Sequence, residues 1–201
     1  MSRARADMIE DTRARLIASA RQAFATQGYA QTSMDDFTAR AGLTRGALYH
    51  HFGDKKGLLA AVVAQLDGEM DASLLRISER AENPWDGFCE RCRAYLRMAQ
   101  DAEVRRIVLQ DAPAVLGTTD QQQCVDSLCR LLDDLMQAGL IEHACSQALA
   151  RLINGSLVSA SLWIAQDQRP GERLEEALQG LELLLRGRSW GSPSTFKSGR
   201  Q

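Results

Sequence analysis

The sequence predicts an all-α protein of about nine helices, and three observations carry that prediction. Apolar residues recur at three- and four-residue spacing in segment after segment, while no strand-like alternation persists. Glycines stand mostly where those stripes end, and only four prolines interrupt 201 residues. Apolar residues make up 45% of the chain, which supports a packed core and excludes wholesale disorder.

Residues 1–10 are polar and basic and read as a loose arm. A first helix is expected from about Thr12 to Gln27, with Leu16, Ile17, Ala20 and Phe24 on one stripe and Gly28 as its stop. Ser33 with Asp36 three residues later is a capping-box pattern for a short second helix. Met34, Phe37 and Ala41 form its apolar stripe, and Gly42 follows where a helix end favours positive φ. Leu43 can plug the angle to the next helix, for which Thr44 is a good N-cap. On that third helix Leu48 and Phe52 share one face and can pack on Met34 and Phe37, closing a three-helix head.

Arg45, Gly46, Tyr49 and His50 are left on the outer faces of the third helix. No core argument requires them there, and the set suits a helix laid against a polar, anionic surface. An α-helix fits the major groove of B-DNA, and helix-turn-helix modules present the N-terminal residues of their second helix to base edges. Asp54 and Lys55 open a fourth helix whose free amides, with the lysine, predict a phosphate site. Charge is divided accordingly. Residues 1–60 hold nine Lys/Arg against six acids, a net of +3, which leaves −5 for the other 141 residues of a chain whose net charge is −2.

Thr32-Ser33-Met34, Ala41-Gly42-Leu43, Leu48-Tyr49-His50-His51-Phe52 and Lys55-Lys56-Gly57-Leu58-Leu59, in that order, resemble the N-terminal domain of tetracycline-repressor-type (TetR/AcrR) transcriptional regulators. The match runs from about Thr12 to Val63; beyond it the resemblance is one of architecture. It implies a DNA-binding domain over residues 1–54, a helical ligand-binding and dimerisation domain over 55–187 and a flexible tail over 188–201. Its partners would be a double-stranded, palindromic DNA operator, a second copy of the chain and a small-molecule inducer. Within this pattern Arg45 is the expected base reader, since arginine pairs bidentately with guanine. Gly46 allows close approach of backbone to DNA, and Tyr49 and His50 can meet phosphate or a thymine methyl. Thr32, Ser33, Thr44 and Lys55 are expected to position the DNA backbone.

The fourth helix, from Lys55 to about Ala81, carries Leu58, Leu59, Val62, Val63, Leu66, Met70, Leu74 and Ile77, and is long enough to join head and body as one rod. Asn83-Pro84 breaks the chain, and Pro84 suits the first turn of a fifth helix. A shorter segment around Val104, Ile107 and Val108 is expected to be interrupted at Asp111-Ala112-Pro113 and stopped at Gly117. Helices then follow over about 120–138, 144–166 and 171–186. The resemblance implies that the last two pair with their symmetry mates in a four-helix dimer interface. Leu152, Gly155, Ser156, Ser159, Ala160 and Trp163 would contribute from the first, and Leu174, Leu178, Leu181 and Leu185 from the second.

Trp85, Phe88, Cys92, Tyr95, Met98, Val108, Leu128 and Trp163 are candidates for lining an inducer pocket. Few charged residues fall on the inward stripes, which points to an apolar or aromatic inducer. Cys89 and Cys92 lie on the apolar stripe of their helix and lack the further ligands of a structural zinc site, so packing is their first reading and thiol oxidation as the signal an alternative. No cofactor, metal or catalytic residue is expected: His143 is the only histidine outside the head, and no nucleophile with a base stands out. Five cysteines are an odd number for a secreted disulfide scaffold. The N-terminus lacks a signal-peptide core, and no window approaches the roughly 20 apolar residues that span a bilayer. These features predict a cytoplasmic protein without a membrane partner.

Overall fold

The structure, a computed structural model, describes residues 2–117 and 121–186. Among them are nine α-helices and one π-helical segment, with no strand. The head consists of α1 (Ser2–Gln27), α2 (Met34–Ala41) and α3 (Arg45–Phe52). The expected loose arm is instead helical from Ser2, because residues 2–10 contain neither glycine nor proline to stop the helix. Gly28 ends α1 with a φ of 80°. A Cβ there would meet only the flexible end of Arg106, so it is the positive φ that calls for glycine.

The predicted capping chemistry of the head is all present. Ser33 and Asp36 satisfy each other's backbone amides, Gly42 closes α2 in the left-handed conformation, and Thr44 Oγ1 accepts from the Ala47 amide at 3.2 Å. Leu16, Ala20, Phe24, Phe37 and Leu48 are wholly buried together with Leu58, Leu59 and Val62 of α4 (Lys55–Glu79). The head's core therefore continues past residue 54 into the first turns of α4. Farther along, Met70 of the same helix packs against the body core, so one rod carries both cores.

The body contains α5 (Pro84–Met98), with Pro84 in its first turn as predicted and Asn83 as its N-cap, and then the π-helical segment Val104–Asp111. Pro113 does not break this segment but sits in the first turn of α6 (Ala112–Leu116), where its missing amide matters least. There the Ala112 amide reaches back to the Ile107 carbonyl, the five-residue step of a π turn. The segment turns two faces to two cores. Ile107 and Ala112 belong to the head cluster, whereas Val104 and Leu109 belong to the body cluster.

Helices α7 (Gln122–Gln137), α8 (Ser146–Gln166) and α9 (Pro170–Arg186) complete the body. Contrary to the hydropathy expectation, α8 has the length and apolar character of a membrane span, yet only 33% of its most apolar window is buried within the chain. The expected start of α7 near Asp120 and the predicted tail lie outside the described residues.

Candidate DNA interface and ligand cavity

On α3, Leu48 enters the core while Arg45, Gly46, Tyr49 and His50 are exposed on the adjoining turns. Positions i, i+1, i+4 and i+5 share one side of a helix, so the four form a single face. Ser33 and Thr44 are exposed at the N-termini of α2 and α3. Arg45 is not idle in the free chain: its guanidinium is paired through two nitrogens with the Asp35 carboxylate of α2. Reading a base would require it to exchange that carboxylate for guanine. Among the described residues none demands glycine at position 46, since a Cβ there would meet only Thr44 Oγ1, at 3.8 Å.

Two of the expected contacts are placed otherwise. Thr32 is buried and its hydroxyl donates to the Tyr29 carbonyl at 3.0 Å. Lys55 Nζ donates to the Thr32 carbonyl at 2.5 Å and lies 4.2 Å over the Tyr29 ring. This lysine ties α4 to the loop before α2. The phosphate site predicted at the start of α4 also has an occupant, because the Asp54 carboxylate accepts from the Gly57 amide at 2.7 Å. An incoming phosphate would meet that charge. Arg40 and Lys56, both exposed, have no ion pair among the described residues and remain available as free cations of the head.

The second feature is a cavity of about 400 Å³ in the body, a volume suited to a small organic ligand. Cys92, Tyr95, Val108 and Leu128 line it as expected. Trp85, Phe88, Met98 and Trp163 do not. Phe88 is buried in the body core with Trp85 stacked on it at 5.8 Å, Met98 lies on another surface, and Trp163 is exposed beneath the Arg173 guanidinium. Against the expectation of few inward charges, Asp67, Asp71 and Arg91 all reach the cavity. Arg91 Nη2 is 2.7 Å from Asp71 and 3.1 Å from Ser127 Oγ, with the arginine side chain only 5% exposed. Its Nη1 is buried with no acceptor. Asn154 donates to Gln121 at 2.6 Å on the same wall. A signal for this set exists in the sequence: Asp67 and Asp71 lie four residues apart beside Met70 and Leu74, and Arg91 interrupts the stripe of Phe88, Cys92 and Tyr95.

Burial raises the Asp67 carboxyl to about 6. The folded state then holds a proton that the unfolded chain has already released, so stability falls as pH rises through the window from about 4 to 6 and stays lower above it. Asp67→Asn is expected to raise the melting temperature at about pH 7.5 by about 2–6 °C, a range reduced for the group's partial exposure, and to have no effect near pH 4. Thermal melts of both proteins at the two pH values check this; equal shifts at both would mean that the carboxyl is fully solvated.

Cys89 and Cys92 are buried in the body, and burial pushes the Cys92 thiol up to about 12. A thiol so held is a poor nucleophile, which weighs against oxidation as the signal.

On α8, Leu152, Gly155, Ser156, Ser159 and Trp163 are exposed along one stripe, with Ala160 half-buried beside them. On α9 the expected leucines turn the other way. Leu174 is buried and Leu178, Leu181 and Leu185 pack on the body core, whereas Leu183 and Leu184 are 72% and 73% exposed.

Known proteins match the chain at both ends. The family described as "Bacterial regulatory proteins, tetR family" matches residues 16–62, and "Tetracyclin repressor-like, C-terminal domain" matches residues 85–188. The crystal structure of a TetR-family transcriptional regulator from Pectobacterium atrosepticum is 55% identical, covers 93% of this chain and 98% of its own, and superposes with a TM-score of 0.87. The HTH-type transcriptional regulator TtgR of Pseudomonas putida is 28% identical over 166 residues, which are 81% of this chain and 70% of its own. Thermus thermophilus FadR, a TetR-family repressor solved with lauroyl-CoA, shares the fold: its TM-score is 0.69 at 17% identity, over 93% of this chain and 100% of its own.

Proposed function

The chain belongs to the tetR family of bacterial regulatory proteins, and from that membership we propose that it is a homodimeric repressor released from a palindromic operator by a small molecule. The carrying observation is that the cavity and the head share one element. Val108, Leu109 and Pro113 line the cavity from the π-helical segment and α6. From the same stretch Ile107 and Ala112 enter the head core, and the Asp111 carboxylate accepts from the Tyr29 amide at 2.8 Å. Arg21 of α1 closes a second link, donating to Glu103 at 2.7 Å through two nitrogens and to Glu69 of α4 at 2.8 Å. A ligand that displaces Val108 or Pro113 therefore pushes on the head through packed atoms and short ion pairs. Coupling of this kind is worth about 1–3 kcal/mol when the ligand binds the two states differently.

Dimerisation is supported by the exposed apolar surface. Leu152, Gly155, Ser159 and Trp163 on α8, with Gly180, Leu183 and Leu184 on α9, form open stripes of small and apolar residues. The same surface accounts for the membrane-like composition of α8 without a membrane. A dimer presents two α3 helices to successive major grooves about one helical turn apart. Its work on the chromosome places the protein in the cytoplasm.

Selection of bound sequences from a random DNA pool, with and without metabolite fractions, tests this reading. A palindrome recovered alone and lost with one fraction is the expected result; no motif in any condition would sink it. On the selected site, Arg45→Ala is expected to weaken binding roughly 10- to 100-fold and to flatten the preference at one base pair of each half-site. Fluorescence anisotropy on the site and its single-base variants measures both effects, and an unchanged profile would remove Arg45 as the base reader.

A further inference from the structure

Three charged side chains reach the cavity, and two of them neutralise each other. Arg91 and Asp71 form the 2.7 Å pair described above. Asp67, one helical turn earlier on the same side of α4, has no hydrogen bond or ion pair among the described residues. Gln121 and Asn154 are engaged with one another at 2.6 Å. The walls around these groups are largely apolar, with Met70, Leu74, Val108 and Leu128 among them. The cavity thus carries one uncompensated negative charge, that of Asp67.

We propose that the cavity takes an apolar, ring-sized molecule bearing a basic nitrogen, whose cation pairs with Asp67. This deepens the inducer reading and rests on it for the regulatory consequence. An anionic ligand would face two carboxylates against a single arginine already paired. A neutral one would leave the Asp67 charge shut into a low-dielectric space without a counterion. A cation removes that penalty, and apolar walls concentrate the field of the lone carboxylate on it. The other titratable groups around Asp67 do not change this balance near neutral pH. Asp71 is held by Arg91, and burial keeps Tyr95 and the Cys124 thiol protonated.

The test is isothermal titration calorimetry of the full chain with phenylbutylamine, phenylbutanol and phenylbutanoate, which share one apolar body. The amine is expected to bind roughly tenfold or more tighter than the alcohol, with the carboxylate weakest. Asp67→Asn should bring the amine down to the alcohol's affinity and leave the alcohol unchanged, and Asp67→Glu should keep the preference. Equal binding of amine and alcohol, tightest binding of the carboxylate, or no binding of any of the three below about 1 mM would each overturn the proposal. DNA anisotropy run in parallel separates the two readings. Amine-selective binding with no DNA affinity would defeat the repressor and leave this inference standing, whereas DNA release without amine preference would do the reverse.

Discussion

Asp71→Ala is expected to cost about 3–5 kcal/mol of unfolding free energy, more than its place on the lining of a cavity suggests. The reason lies in what it abandons. Arg91 is buried to 5% exposure and has two polar contacts, Asp71 and Ser127, both through Nη2. Removing the carboxylate leaves a guanidinium in an apolar wall with one hydroxyl for company. Restoring complementarity should recover most of the loss. The double variant Asp71→Leu, Arg91→Met replaces both charges with apolar groups and is expected to lie within about 1–2 kcal/mol of the parent. Urea denaturation of the parent, the two single variants and the double variant gives the coupling energy directly. A single-variant cost below about 1 kcal/mol would mean that solvent in the cavity supports Arg91.

The second large effect belongs to the head. Phe24→Ala is expected to cost about 3–5 kcal/mol and to abolish operator binding at growth temperature, while Phe24→Leu costs about 1 kcal/mol. Phe24 is wholly buried, meets the Phe37 ring edge-on at 5.2 Å and lies 5.6 Å from Tyr29. It therefore holds α1 on α2 and on the turn that carries Thr32 and the Lys55 contact. In its absence the two helices of the DNA-binding motif lose the surface they are oriented on. Denaturation followed by circular dichroism, alongside anisotropy on the selected operator, checks both parts. Operator affinity retained by a destabilised Phe24→Ala protein would show that α2 and α3 keep their angle without it.

The two experiments probe regions that differ in how they could be foreseen. The head was legible residue by residue because its determinants are local. Ser33 reaches Asp36, Thr44 reaches the Ala47 amide, and Gly42 adopts positive φ, all within a few residues of sequence. The outward set Arg45, Gly46, Tyr49 and His50 followed because Leu48 had to be buried. Local reasoning failed where a polar group found a distant partner. Lys55 was assigned to a phosphate, yet its partners are the Thr32 carbonyl and the Tyr29 ring. Asp67, Asp71 and Arg91 were not singled out from the sequence, and only the packing of α5 on α4 turns them inward.

By itself the sequence determined the helix inventory, the turn of the head, its outward-facing residues and the family to which they belong. Those depend on contacts within a helical turn or two, which spacing records. Only the tertiary structure decided which of the leucines of α9 face the body and which remain open, what lines the cavity and with what charge, and that one π-helical segment serves both cores. Each of these is a choice among faces that the helical period leaves equivalent, and the choice is made by neighbours tens of residues away.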